Sequence, residues 1–164
     1  MKSTTARSLV PPLARIKESL MNKIQIQLGE LKLDFEVIGR TTHGGGGPYE
    51  DWLQINAKVD ICSFSGSSSF DVMPYELTTL SEDLRKLYSQ FPNRGTVNFK
   101  PIEGLIEMEF RIGTRGQLEG TFAMRDDFMK TVELIGSFET DQNALLTIAE
   151  DVQRLVKEVI PAAG

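Results

Sequence analysis

From Trp52 to Cys62, Leu53, Ile55, Ala57, Val59 and Ile61 take every second position, with Gln54, Asn56, Lys58 and Asp60 between them. A two-residue period gives an extended chain one apolar and one polar face, the mark of a half-buried strand. The same pattern recurs in at least five other segments. A chain written this way must cover several apolar strand faces, which calls for a sheet with something packed against it.

Ile24, Ile26 and Leu28 alternate with Lys23, Gln25 and Gln27; Gly29-Glu30 then turns the chain into Leu31, Leu33, Phe35 and Val37. This reads as a hairpin. A loop over Arg40 to Asp51 precedes the long strand, and Phe64-Ser65-Gly66 is the expected turn into Ser67 to Met73. After Pro74 the period lengthens to about 3.6, with Leu80, Leu84, Leu87, Tyr88 and Phe91 on one stripe. Thr79 and Glu82 have capping-box spacing, so the helix is expected over 79–90, ended by Pro92-Asn93.

Four further strands are expected at Gly95 to Lys100, Leu105 to Ile112, Gly116 to Arg125 and Lys130 to Glu139. Their inward sets are Val97 and Phe99; Ile106, Met108, Phe110 and Ile112; Leu118, Phe122 and Met124; and Val132, Leu134 and Phe138. Gly113 to Gly116 and Asp126-Asp127 supply turns between them, so this half is an antiparallel meander. Asp141 can cap a last helix, 141–159, whose stripe is Leu145, Ile148, Val152, Leu155, Val156 and Val159, with Pro161 as its stop. The expected fold is α+β: an antiparallel, strongly curved β-sheet of about eight strands, with two amphipathic helices packed on its apolar face. The order strands, helix, strands, helix also invites a reading in two halves.

At 164 residues, 40% hydrophobic and 25% charged, the chain has the length and composition of one globular domain. We divide it into a basic, loosely ordered extension, 1–20, and a single α+β domain, 21–164. The extension holds Lys2, Arg7, Arg15 and Lys17 against Glu18 and lacks the apolar core of a secretory signal; its Ser, Thr and Arg only faintly resemble a transit peptide. No apolar run approaches the ~20 residues that cross a bilayer. The single cysteine, Cys62, precludes an intrachain disulfide and fits a reducing, cytoplasmic setting; at a strand end it reads as a small edge-of-core side chain.

The net charge of −5 conceals an acidic body, because the first twenty residues are +3. A phosphate backbone would be repelled by such a body, and a basic protein attracted. No nucleic-acid or membrane partner is therefore expected.

Catalytic chemistry is poorly supplied. His43, the one histidine, precedes Gly44-Gly45-Gly46-Gly47-Pro48 and has no neighbouring metal-ligating residues; it reads as a loop residue. The glycines lead into a strand, whereas phosphate-cradling loops open a helix whose N–H groups hold the anion. Glu107 and Glu109 share a strand face roughly 7 Å apart, a permissive spacing for paired-carboxylate hydrolysis. Alternation alone produces such pairs on any solvated strand. No catalytic residue, cofactor or metal is assigned. The carboxylates are instead candidates for partner binding: Asp34, Glu36, Asp60, Glu107, Glu109, Glu119 and Glu133 on strand faces, and Glu50 and Asp51 beside Trp52, itself a core-edge aromatic.

Several segments taken together resemble the WapI family of immunity proteins, small partners of bacterial polymorphic toxins. They are Phe35-Glu36-Val37-Ile38-Gly39-Arg40, Tyr49-Glu50-Asp51-Trp52-Leu53, Phe64-Ser65-Gly66-Ser67, Leu84-Arg85-Lys86-Leu87-Tyr88 and, most specifically, Phe138-Glu139-Thr140-Asp141-Gln142. Their order and spacing agree over about residues 24 to 157. The basic segment before Met21 and the glycine run depart from the usual pattern. What the resemblance implies is a cytoplasmic, non-enzymatic protein that binds and neutralises a cognate toxin domain, often a nuclease; it supplies no family-wide site residues. Two alternatives stand beside it: an uncharacterised orphan domain of the same fold, and a small-molecule carrier with an apolar pocket lined by Met73, Met108, Met124 and Met129.

Overall fold

Leu28 and Leu31 pair across a two-residue turn whose first position, Gly29, has φ +60°. A primed hairpin turn requires that left-handed conformation, and glycine adopts it without steric cost. Gly29 is constrained a second time, because a Cβ there would lie 2.7 Å from the Glu139 carbonyl oxygen. The hairpin opens the chain of a computed structural model that describes residues 22–160 other than Gly46, Pro48, Phe128 and Lys130. The expected extension over 1–20 and the helix stop at Pro161 lie outside the described residues.

Four strands follow one another as antiparallel neighbours: β1 (Lys23–Leu28), β2 (Leu31–Thr42), β3 (Asp51–Ile61) and β4 (Phe64–Val72). After helix α1 (Pro74–Ser89) the plan repeats with β5 (Gly95–Phe99), β6 (Ile106–Ile112), β7 (Gln117–Arg125), β8 (Glu133–Asp141) and helix α2 (Ala144–Val159). The fold is α+β, as expected, but the strands form two four-stranded sheets, not one strongly curved sheet of eight. The division falls where α1 separates β4 from β5, so each half is a meander followed by a helix. Side chains from both sheets and both helices merge into one core. Between the helices, the buried Ser81 hydroxyl donates to the Ala149 carbonyl at 2.7 Å.

Three local expectations need correction. The β3–β4 turn is at Cys62-Ser63, where Cys62 has φ 50° and is exposed, so it is neither an edge-of-core residue nor followed by a turn at Phe64-Ser65-Gly66. The observed register places Gly66, Ser68, Phe70 and Val72 opposite Val59, Ala57, Ile55 and Leu53. A turn centred on Ser65 would flip the strand and bury Ser67, Ser69 and Asp71 instead.

The second correction concerns α1, which starts at Pro74, a turn before Thr79. Proline suits the first helical turn because its missing N–H needs no partner there. Glu76 completes the start by accepting the Met73 N–H at 2.9 Å. The third is β8, which begins at Glu133. Asp126 and Val132 close the preceding loop through the Asp126 N–H to the Val132 carbonyl at 3.2 Å and the Val132 N–H to Asp126 Oδ1 at 3.0 Å. Val132, expected inside, is consequently exposed. Asp141 accepts the Asn143 N–H at 2.8 Å just ahead of α2.

Candidate partner-binding surface

The polar positions of each strand face away from the shared core, so each sheet has its own outer face. Asp34, Glu36 and Asp60 stand on the first, among Gln25, Gln27, Gln54, Asn56, Ser65, Ser67 and Ser69. Lys23 reaches Asp34 at 3.2 Å and Lys58 reaches Asp60 at 3.1 Å. With Lys32 and Asp71 included, this face holds four acids and three bases and is nearly neutral.

Glu107, Glu109, Glu119 and Glu133 stand on the other sheet, together with Glu139 and Asp141 of β8. Lys100, Arg111 and Arg125 pair with these acids and Arg94 borders the same face beside Arg111 and Glu119, so acids outnumber bases six to four. Glu119 lies directly opposite Glu139, an arrangement of like charges that costs stability. The face is also not purely charged. Ala123 sits between Glu107 and Ile135 in the strand register, Ile135 is 65% exposed, and these residues with Asn98, Lys100 and Glu109 border an open groove of about 360 Å³.

Arg125 organises one end of this face. It is only 9% exposed and donates to the Gly104 carbonyl at 2.8 Å and to Glu107 Oε1 at 2.9 Å, while its other terminal nitrogen lies 2.7 Å from Glu133. Lys100 adds a contact to Glu107 at 3.2 Å. Burial pushes the Glu107 pKa up, but the hydrogen bonds and charges of Lys100 and Arg125 outweigh it and hold the group below the usual carboxylate range. A lowered folded-state pKa adds stability above the ordinary carboxylate range, and this is lost as pH falls through the lowered value. Glu107→Gln is therefore expected to flatten the acid limb of a melting-temperature profile; an unchanged limb would show that these contacts do not form in solution.

Glu50 and Asp51 lie apart from both faces, where β2 and β3 meet their connecting loop. Asp51 accepts from Nε and from Nη2 of Arg40, at 2.8 and 2.9 Å, and Glu50 accepts the Gly47 N–H at 3.3 Å. Trp52 is half-buried beside them. His43 is exposed, and it contributes to the loop through its backbone, whose N–H donates to the Glu50 carbonyl at 2.8 Å and whose carbonyl accepts the Gly45 N–H at 2.6 Å. His43→Ala is accordingly expected to change stability by no more than about 0.5 kcal/mol in urea unfolding.

The sequence reading missed Glu139, Asp141 and Ile135 as members of the second face. Alternation from Glu133 carries the signal for all three, but Ile135 is apolar, and Asp141 lies past the strand end expected at Glu139, where it has the chemistry of a helix cap. Among the described residues no group of three or more His, Cys, Asp and Glu side chains is arranged to hold a metal ion, and no helix is long and apolar enough to cross a membrane.

The model of the immunity protein WapI-like family matches residues 23–159, spanning both sheets and both helices. This chain belongs to that family. An immunity role, with a toxin protein as partner, is what membership implies. No curated protein matches the chain. Among solved structures it is similar to the plant transcriptional regulator PBF-2, at 7% identity and a TM-score of 0.43 over 87% of this chain and 89% of that one. It is also similar to WHY1 from Arabidopsis thaliana, at 10% identity and a TM-score of 0.41 over 85% and 90%.

Proposed function

We propose that this chain binds the toxic domain of a cognate bacterial effector in the cytoplasm and neutralises it without catalysis, through the outer face of the second sheet. The observation that carries the choice of surface is the charge imbalance between the faces. The second has six acids against four bases and sets Glu119 against Glu139, whereas the first has four against three and no such like-charged pair. A basic partner would relieve the repulsion and meet a complementary potential during encounter. A nuclease is the favoured toxin class, since a surface that attracts nucleic-acid phosphates is basic and an acidic face can occupy it.

Asp34, Glu36 and Asp60 would then be peripheral, as would Glu50 and Asp51. The carrier reading gains no comparable support: Met73, Met108 and Met124 are buried in the core, Met129 is exposed, and clefts of about 530 and 400 Å³ open on the surface. The test is coexpression with the toxic domain of the cognate effector. Growth should be restored, and a stable complex should copurify. Continued toxicity with the protein abundant and folded would contradict the proposal.

A further inference from the structure

Tyr49 and Tyr75 are 68% and 39% exposed, and their rings meet edge to face at 5.6 Å, with Tyr75 in the first turn of α1. Tyr75 also walls a cleft of about 190 Å³, with Glu76, Thr79, Asp83, Lys100 and Pro101. Exposed tyrosines next to a recess are typical anchors of protein interfaces.

The charges around this cleft are unevenly committed. Glu76 is occupied by two backbone N–H groups, from Met73 and from Ile102, both at 2.9 Å. Lys100 is drawn to Glu107 on the sheet face at 3.2 Å. Asp83 is exposed and forms no ion pair among the described residues. The Tyr75 phenol is held above its ordinary pKa chiefly by desolvation and then by the charge of Glu76 and by Tyr49.

The cleft runs about two helical turns, from the Tyr75 ring to the unpaired Asp83 carboxylate, and suits a long cationic side chain whose apolar stem packs near the ring while its charged head pairs with Asp83. An acidic side chain would be repelled, and an apolar one would desolvate Asp83 without pairing it. We propose that this cleft receives an arginine or lysine side chain of the basic protein partner, a second contact point that rests on the toxin-binding reading above.

The test titrates the ¹⁵N-labelled full chain with the peptide acetyl-Gly-Arg-Gly-Arg-Gly-amide, and with the same peptide carrying Glu for Arg. Saturable shifts are expected at the Tyr75, Thr79 and Asp83 amides with the arginine peptide alone. Asp83→Asn and Tyr75→Leu should each weaken binding about threefold or more, and Tyr75→Phe, which keeps the ring, should not. Absence of shifts at the cleft, or shifts spread over the acidic surface and indifferent to Asp83→Asn, would overturn the proposal. Peptide capture in the cleft by a protein that fails to neutralise the toxin would uphold the cleft and overturn only the toxin reading.

Discussion

Gly120→Ala is expected to destabilise the protein by about 3 kcal/mol, toward the upper end of what overpacking a filled core costs. Gly120 lies in the middle of β7, paired with Phe110 on one side and Phe138 on the other. Those two rings tilt together with centroids 5.8 Å apart. A Cβ at 120 would collide with the Glu109 carbonyl oxygen and with the Phe138 ring. The carbonyl belongs to a paired strand and cannot swing aside, so relief would require moving β6 from β7. Gly44→Ala is the control: nothing lies within 4 Å of its would-be Cβ, and its effect should stay within about 0.5 kcal/mol. Urea midpoints of the two variants make the comparison. Similar midpoints would show that the strand register around Gly120 is wrong.

The same glycine shows where a one-dimensional reading stops. Alternation gave the inward sets of β5, β6 and β7 because each strand is apolar on one side only, and those side chains are buried. Gly120 has no side chain to register in that pattern, yet its place between two phenylalanines depends on pairing with two other strands. Cys62-Ser63 escaped for a related reason. Gly66 carries the stronger turn signal, and only the cost of burying Asp71 and Ser69 decides against it. The early start of α1 was available in Pro74 and Glu76 but was masked by the competing spacing of Thr79 and Glu82.

The division into two sheets was not readable from strand patterns, which show that strands exist but not which edges meet. Glu107 and Glu109 looked equivalent in sequence, both outward on one strand. The structure separates them: Glu107 is tied to the nearly buried Arg125, while Glu109 has only a 3.9 Å contact to Arg111. Which side of the molecule is acidic likewise depends on which strands assemble together, and that brings Glu139 and Asp141 beside the four glutamates already suspected.

This separation decides how the proposed interface should be probed. Reversing Glu107 would set a lysine against Arg125 and confuse lost binding with lost stability. Glu109→Lys/Glu139→Lys avoids that contact and changes the charge of the face by four. At low ionic strength the double variant should associate with the toxic domain about tenfold more slowly or worse, because exposed charge acts mainly on encounter. The deficit should shrink as salt rises, since the Debye length falls from about 30 Å at 0.01 M to about 10 Å at 0.1 M. Melting temperature should be close to that of the wild type, and Glu139→Lys should even relieve its repulsion with Glu119.

The direct measurement is therefore a salt series of association rate constants for the wild type and Glu109→Lys/Glu139→Lys against the cognate toxic domain. A large low-salt deficit in the variant, converging on the wild type as salt increases, is the result expected for binding through the outer face of the second sheet. Equal rates and equal salt slopes, with both proteins folded, would contradict it.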